Sequence, residues 1–294
     1  MYFFILAGGY GHRSRPLSLS KPKPLFPLNG TPLLEIMLTQ LREKGLTRGL
    51  INLHYLGHDI EQCAGQIPGL HLSYLDEPEL TGSRILKDSL PFIDDTLLVV
   101  NGDVFLDIPL FEMRQKLSAS SADGVLVLRE SQTPGYSTIR VDGDQFLGVE
   151  TRGNTQPGKN LMYTGAALFT RRVLESIEDT SFFDSLSRSI FNIKTVIIHG
   201  LWLDIGQPHL YFEADRQYRD YQNIPATNSL SHGVSIAPGS QVHDTIIWEN
   251  TVIGPGCNIS RSIITGRLFL ENAHFQGKII TADRIFALET PGSR

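Results

Sequence analysis

The sequence predicts an α/β fold, with a mostly parallel sheet covered by helices, followed by a short parallel β-helix. Through roughly the first two-thirds of the chain, short apolar runs such as 96–100 and 125–128 alternate with amphipathic stretches. That alternation is typical of buried parallel strands with helices on both faces. From residue 223 onward, apolar residues instead recur with a period of 17 residues, which favours a stack of short-stranded coils. We therefore predict one domain at 1–222 and a second at 223–294.

Local signals predict the elements of the first domain. A strand is expected at 2–6. A helix is expected to begin at Thr31-Pro32, because threonine caps helices and proline fits the first turn. Its apolar face consists of Leu34, Met37, Leu38 and Leu41, and Gly45 ends it. The other predicted elements are strands at 49–56, 70–75, 96–100 and 125–128, a helix at 57–66, a hairpin of 137–141 with 145–149, a strand and turn within 195–206, and a helix at 207–221.

The repeat in the second domain is visible in matching hexapeptides. Residues 236–241 (IAPGSQ) match 253–258 (IGPGCN), and 270–275 match more weakly. Val252, Phe269 and Phe286 also fall one period apart. A stack of about three copies is close to the minimum for stability. Packing or oligomerisation is therefore favoured over a catalytic role, and we expect a homo-oligomer formed through this tail.

Composition excludes several classes of protein. The 294 residues carry a formal net charge of −5, which argues against a general nucleic-acid binder. The apolar start at 2–7 is too short for a signal-peptide core or a membrane span. Cys63 and Cys257 have no metal-type spacing and suggest free thiols in a reducing compartment. We expect a cytoplasmic protein with neither nucleic acid nor membrane as a partner.

A glycine loop follows the first strand and predicts a phosphate site. Gly8, Gly9 and Gly11 allow backbone N–H groups to approach phosphate oxygens closely. Arg13 can bind two oxygens at once, and Lys23, placed in a Pro-Lys-Pro sequence, supplies a point charge. The loop is neither a Walker A sequence, which closes with Gly-Lys-Ser/Thr, nor a dinucleotide fingerprint, whose third glycine is absent. Its combination of glycines and two cations predicts a polyphosphate ligand.

Two aspartates can complete such a site. Asp103 follows an apolar strand within Asn-Gly-Asp, and Asp204 follows another within Trp-Leu-Asp-Ile-Gly. Open α/β sheets bind ligands at the carboxyl ends of their strands. Mg²⁺ takes one or two carboxylates together with substrate phosphates. We therefore predict Mg²⁺ at Asp103 and Asp204, beside a nucleoside triphosphate attacked at its α-phosphorus by another phosphate anion.

These motifs together resemble the sugar-nucleotidyltransferase family, and the resemblance covers essentially the whole chain. The first stretch is similar to the family's Leu-Ala-Gly-Gly-x-Gly…Pro-Lys-Pro motif. Residues 52–57 (NLHYLG), Thr81-Gly82, 101–103 and 202–206 resemble further family blocks in the expected order. The blocks at 52–57 and Thr81-Gly82 look closest to mannose-, heptose- and N-acetylmuramate-1-phosphate nucleotidyltransferases. The tail resembles the left-handed β-helix of several members, and the first domain their Rossmann-like sheet.

The resemblance implies a reaction and a set of roles. A sugar 1-phosphate and a nucleoside triphosphate would give a nucleotide sugar and pyrophosphate. Arg13 and Lys23 would be the catalytic cations, and Asp103 and Asp204 would hold Mg²⁺. The implied nucleotide contacts are Leu6, Ala7, Gly8, Gly9, Gly11, Gly82 and Asn101, and the implied sugar contacts are Glu150 and Gly165. Gly82 would lie near the base.

The chain departs from the family pattern at several positions, and other functions remain open. Residues 150–152 read Glu-Thr-Arg where the family has Glu-Lys-Pro, so Arg152 is a candidate replacement for the missing lysine. Ser83-Arg84 stand where small residues are expected beside the base. A catalytically weak regulatory subunit that senses nucleotide sugars is the main alternative. An acyltransferase tail is a third, which the short repeat disfavours. The base, the sugar and the oligomeric state are not determined by the sequence.

Overall fold

The structure is a computed structural model that describes residues 1–130, 136–150, 160–178, 182–187 and 190–289. Its contacts divide the chain into two compact units. The first comprises residues 1–9 and 38–202, and the second comprises 10–37 and 203–294. The second unit therefore takes in Gly11 of the glycine loop and the Pro-Lys-Pro segment as well as the tail, whereas Gly8 and Gly9 belong to the first unit. The predicted domain boundary after residue 222 stays a prediction.

Helices and strands form close to where the apolar patterns predict them. The α-helices in the described residues are α1 (Leu33–Glu43), α2 (Gly57–Gly65), α3 (Leu110–Ala119), α4 (Arg171–Ser176), α5 (Phe182–Leu186) and α6 (Pro208–Tyr221). The strands up to residue 204 are β1 (Tyr2–Leu6), β2 (Pro27–Leu28), β3 (Thr31–Pro32), β4 (Arg48–Leu53), β5 (His71–Asp76), β6 (Thr96–Asn101), β7 (Val104–Leu106), β8 (Gly124–Glu130), β9 (Thr138–Asp142), β10 (Gln145–Glu150), β11 (Leu161–Thr170), β12 (Ile193–Ile198) and β13 (Trp202–Asp204). Thr31-Pro32 pairs with β2 rather than opening α1, so the predicted helix start is wrong by two residues.

A nine-stranded sheet of described residues organises the first unit. Its strand order is β5-β4-β1-β6-β11-β8-β12-β10-β9. Only β10 and β11 run against the direction of the other seven strands, so the predicted mostly parallel sheet is confirmed. Because β1, β4, β6 and β8 point the same way, their carboxyl ends lie at one edge of the sheet. Residues that follow these strands are therefore candidates for a shared site.

The core of the first unit is aliphatic and aromatic. Phe4 of β1, Val99 of β6, Leu126 of β8 and Phe169 of β11 are buried in one cluster. The runs that supply them are apolar on both faces, as expected for central strands covered by helices. Among the described residues, no helix combines the length and apolar character needed to cross a bilayer.

The tail of the second unit has the repeating architecture that the 17-residue period predicts. Its strands within residues 223–289 are β14 (Ser229–Leu230), β15 (Ser235–Ile236), β16 (Gln241–His243), β17 (Ile246–Ile247), β18 (Val252–Ile253), β19 (Asn258–Ser260), β20 (Ile263–Ile264), β21 (Phe269–Leu270), β22 (His274–Gln276), β23 (Lys278–Ile280) and β24 (Ile285–Ala287). They form three parallel sheets, ordered β14-β17-β20-β23, β15-β18-β21 and β16-β19-β22. The inward aliphatics of successive coils stack into one core, as in Ile247, Ile264 and Ile280. Oligomerisation through this tail stays a prediction.

The repeat changes at its last coil. Ile246 pairs with Ile263, 17 residues later, whereas Ile263 pairs with Ile279, only 16 residues later. β24 then pairs antiparallel with β23, which places Phe286 beside Ile279. The predicted alignment of Phe286 with Val252 and Phe269 is therefore wrong, because the chain reverses direction before it reaches that position.

Candidate active site

The start of the glycine loop is held by Asn52, the first residue of the NLHYLG block. Asn52 accepts hydrogen bonds through its Oδ1 from the backbone N–H groups of Ala7 at 2.6 Å and Gly8 at 3.3 Å. A Cβ atom at Gly8 would lie 2.7 Å from Asn52 Nδ2, so this position requires glycine. Gly9 is exposed, and a Cβ there would meet nothing within 4 Å. Asn52 thus fixes the loop's first residues, while the space above Gly9 is open to a ligand.

The same asparagine links the loop to the segment predicted to lie near the base. Its Nδ2 donates to Glu77 Oε2 at 2.7 Å. Glu77 Oε1 in turn accepts from the backbone N–H of Thr81 at 2.6 Å and from its hydroxyl at 2.8 Å. Asn52 and Glu77 are only 4% and 5% exposed, so a buried polar network joins Gly8 to the residue before Gly82. A polar residue near the carboxyl end of the apolar run 49–53 was the sequence signal for Asn52.

Asn101 and Gly165 lie beside the end of β1. Asn101 pairs with Leu6, and the N–H of Gly102 donates to the Leu6 carbonyl at 2.9 Å. Gly165 has a φ of +93°, and a Cβ there would lie 3.1 Å from Asn101. The register of β11 against β8 shifts at this point, between Tyr163 and Ala167. This bulge brings predicted nucleotide and sugar residues together within the first unit.

In the second unit, Lys23 packs against the turn at Gly11. Gly11 adopts a left-handed φ of +67°, and its carbonyl accepts a hydrogen bond from the Ser18 hydroxyl at 2.7 Å. A Cβ at Gly11 would lie 2.9 Å from Ser18 Cβ and 3.3 Å from Lys23 Cγ. Glycine is required here both for the backbone conformation and for this close approach. The structure therefore places the predicted catalytic lysine next to the predicted phosphate turn.

Arg13 and Asp204 also come together in the second unit. Asp204 Oδ1 accepts the N–H of Gly206 at 2.6 Å, and the Ser14 hydroxyl donates to the Gly206 carbonyl at 2.9 Å. A Cβ at Gly206 would lie 2.7 Å from Asp204 Oδ1 and 3.5 Å from Arg13 Nη2. Ser14 is fully buried and connects the loop to the turn that follows β13. A cation and a carboxylate expected to act on the same triphosphate are thus neighbours.

Each unit contains one of the two aspartates that are predicted to hold a metal ion. Asp204 ends β13, and Asp103 comes two residues after β6, so each offers carboxylate oxygens beyond a strand. Within the described residues, no three carboxylate, histidine or cysteine side chains form a ready-made metal cluster. Carboxylate oxygens are suitable ligands for a hard divalent cation, which can complete its coordination with phosphate oxygens and water. That both aspartates share one ion stays a prediction.

The remaining predicted residues are placed as follows. Glu150 is the last residue of β10, where it pairs with Thr138 of β9. Gly82 begins a 3₁₀ turn, has a φ of +62° and has open space at its Cβ position. Arg152 lies outside the described residues. The contacts of these residues with a ligand stay predictions.

Comparison with known proteins identifies the family. Residues 3–221 match the family described as Nucleotidyl transferase. The mannose-1-phosphate guanylyltransferase of Mycobacterium tuberculosis is 26% identical over 281 residues, which covers 88% of this chain and 78% of that protein. The D-glycero-alpha-D-manno-heptose 1-phosphate guanylyltransferase of Campylobacter jejuni is 28% identical over 220 residues, which covers 72% of this chain and 97% of that protein.

A solved structure supports the fold independently. The crystal structure of HddC from Yersinia pseudotuberculosis complexed with GMP-PN superposes with a TM-score of 0.64 at 22% identity, covering 74% of this chain and 99% of that chain. At this identity the likeness shows the fold. The family match extends from β1 to the end of α6 and includes every residue predicted for the site. The chain is therefore a nucleotidyltransferase and belongs to the Nucleotidyl transferase family.

Proposed function

We propose that the protein transfers a guanylyl group from GTP to a mannose- or heptose-type sugar 1-phosphate, with release of pyrophosphate. The names of its relatives in Mycobacterium tuberculosis and Campylobacter jejuni support both the base and the sugar class. The sugar 1-phosphate itself is the attacking anion, so the reaction needs no side-chain nucleophile. Neutralising and positioning phosphate groups is then the main task of the protein.

The observation that carries this proposal is the grouping of charges around the glycine turn. Lys23 packs against Gly11, and Arg13 lies beside Asp204 and Gly206. A guanidinium can bind two phosphate oxygens at once. An ammonium is a compact point charge on a flexible side chain, so it can interact with the phosphate oxygen that gains negative charge during the reaction. We assign Arg13 to the triphosphate and the leaving pyrophosphate, and Lys23 to the attacking and attacked phosphates.

Mg²⁺ held by Asp103 and Asp204 would neutralise the phosphate charge when bound. Around it, Leu6, Ala7 and Asn101 would line the nucleotide. The network from Asn52 through Glu77 to Thr81 would hold Gly82 near the base. Glu150 and Gly165 would face the sugar. In this arrangement the chain's own residues bind, orient and charge-balance two anionic substrates.

A substrate matrix tests the proposal. Five nucleoside triphosphates would be combined with common sugar 1-phosphates, and pyrophosphate release would be followed with Mg²⁺ and with excess chelator. We expect turnover that depends on the metal and is fastest with GTP and mannose 1-phosphate or a heptose 1-phosphate. Fast turnover with another base or sugar would correct the assignment. No turnover anywhere in the matrix would favour a sensing subunit.

A further inference from the structure

Arg129 lies near the end of β8, at the edge of the sheet where the site is built. It pairs with Met162 of β11 and with Ile198 of β12, and Glu130 ends the strand. β8 runs parallel to β6, which ends at Asn101, because both pair antiparallel with β11. Arg129 therefore belongs to the same edge as the predicted nucleotide and sugar residues.

A tryptophan connects Arg129 to the sugar side of the site. The guanidinium carbon lies 5.2 Å from the ring centroid of Trp202. The indole N–H of Trp202 donates to the Thr164 carbonyl at 2.8 Å. Thr164 directly precedes Gly165, whose left-handed backbone packs against Asn101. The Trp202 ring therefore stacks with Arg129 and is also hydrogen-bonded to the bulge that contains Gly165.

The charge of Arg129 is not balanced by any carboxylate in the described part of the chain. Within the described residues, its guanidinium donates hydrogen bonds to the carbonyl oxygens of Glu130 and Trp202, each at 3.4 Å. Partial burial lowers the pKa of Arg129 from its ordinary value, which shows that its charge is partly removed from water. A half-buried guanidinium of this kind is satisfied best by an anion that can accept two hydrogen bonds.

We propose that Arg129 binds the phosphate group of the sugar 1-phosphate and that Trp202 holds its guanidinium plane in place. This inference rests on the proposed function and adds a residue for the second substrate. A phosphate monoester offers several oxygens, so the planar guanidinium can engage two of them. Stacking on Trp202 limits the side chain's freedom before the substrate arrives, which reduces the entropy lost on binding.

Arg129→Met tests the proposal, with Arg48→Met as the matched control. Arg48 also stacks on an aromatic ring, with its guanidinium carbon 5.1 Å from the centroid of Tyr2. Arg48 begins β4, so it lies at the opposite edge of the sheet from Arg129. We expect Arg129→Met to raise the KM for mannose 1-phosphate between about tenfold and a hundredfold, as loss of a charge-assisted contact predicts. The KM for GTP should stay within about twofold, and Arg129→Lys should recover part of the loss.

A binding measurement makes the result independent of turnover. Calorimetry would follow mannose 1-phosphate binding to each variant in the presence of a non-hydrolysable GTP analogue. An unchanged dissociation constant in Arg129→Met would overturn the inference. So would an equal loss of affinity for the GTP analogue, which would mean a general disturbance of the site. Absence of turnover in the unmodified protein across the substrate matrix would instead count against the proposed function.

Discussion

The indole N–H of Trp248 donates a hydrogen bond to the hydroxyl of Tyr211 at 3.0 Å, and both side chains are buried. The same hydroxyl donates to the carbonyl of Pro27 at 2.7 Å. Phe26 packs against both rings, with centroid distances of 5.2 Å. Trp248 follows β17 of the tail, and Tyr211 lies on α6. The tail is thus joined through one hydroxyl to the segment that directly follows Pro-Lys-Pro.

Tyr211→Phe should destabilise the protein without changing its shape. Removing the hydroxyl leaves the Trp248 N–H and the Pro27 carbonyl without this partner, and each lost buried partner costs about 1–3 kcal/mol. We expect the free energy of unfolding, measured in urea, to fall by about 2–6 kcal/mol. Tyr221→Phe, on the exposed face of the same helix, should stay within about 0.5 kcal/mol. Equal stability of the two variants would contradict the proposed bridge.

Lys23 and Lys21 should differ sharply in catalysis although they are two residues apart. Lys21 forms an ion pair with Glu249 at 2.9 Å, and its Nζ lies 5.5 Å from the centroid of Trp248. Lys23 packs against Gly11 instead. We expect Lys23→Ala to lower kcat by about a hundredfold or more, because its charge is needed most in the transition state. Lys21→Ala should keep kcat within about threefold. A raised KM for the nucleotide with kcat unchanged in Lys23→Ala would argue against the role.

Alanine at Gly8 should lower stability, whereas alanine at Gly9 should weaken GTP binding. At Gly8 the new methyl group meets Asn52 at 2.7 Å, so the free energy of unfolding should fall by about 1–3 kcal/mol. At Gly9 nothing lies within 4 Å, so stability should change by less than about 0.5 kcal/mol. We expect Gly9→Ala to raise the KM for GTP, since the open space above it is where phosphate is proposed to bind. Urea unfolding curves and steady-state kinetics of both variants test these expectations. A loss of stability in Gly9→Ala would be inconsistent with the open space at its Cβ position.

Asp103→Asn should abolish turnover through the metal. An amide is a weaker ligand for Mg²⁺ than a carboxylate, so kcat should fall by at least about a hundredfold and should not recover at high Mg²⁺. Asp107→Asn is the control, because Asp107 is exposed and pairs with Lys44 at 2.7 Å. Its activity should be unaffected. Near-normal kcat in Asp103→Asn at saturating Mg²⁺ would remove Asp103 from the site.

Asp144 should titrate far below the usual range for a carboxyl. Hydrogen bonds from Lys116 at 2.7 Å and Lys194 at 2.9 Å lower its pKa from 3.8 to about 2. Because the folded pKa is depressed, the carboxylate stabilises the fold above pH 3.8, and this contribution is lost as the pH falls towards 2. Carbon-detected NMR titration of Asp144 should give a midpoint near 2. The double variant Lys116→Met/Lys194→Met should raise it, and an ordinary midpoint in the unmodified protein would refute the pairing.

Much of the fold could be predicted because buried segments can be recognised in the sequence from their pattern of apolar residues. β6 at Thr96–Asn101 and α6 at Pro208–Tyr221 lie within one residue of their predicted bounds. The direction of a strand in the sheet cannot be recognised from this pattern. β11 is apolar on both faces, as β6 and β8 beside it are, yet it runs antiparallel to both of them. Direction depends on how the chain returns to the sheet, which composition does not encode.

The candidate site likewise contains features that the sequence could predict and features that it could not. Gly8 and Lys23 could be singled out because special backbone geometry and charge each demand one residue type. The contact between Asn52, which opens the NLHYLG block, and Glu77 could not be predicted, because it joins residues 25 apart in the sequence. Their burial, and not their identity, shows that they belong to the network. Arg129 was missed for the same reason, since only the structure shows which ring it stacks on.

The reversal of β24 has a consequence for how the tail behaves in solution. The outermost strand of a parallel sheet has main-chain N–H and C=O groups without hydrogen-bond partners, and such an edge can pair with strands of other chains. β24 folds back on β23 and occupies those groups with the protein's own backbone. Ile285 and Phe286 pair with Ile280 and Ile279, and their side chains are exposed. In the described residues, the last strand therefore covers the outer edge of one of the three tail sheets, whereas β21 and β22 remain the end strands of the other two.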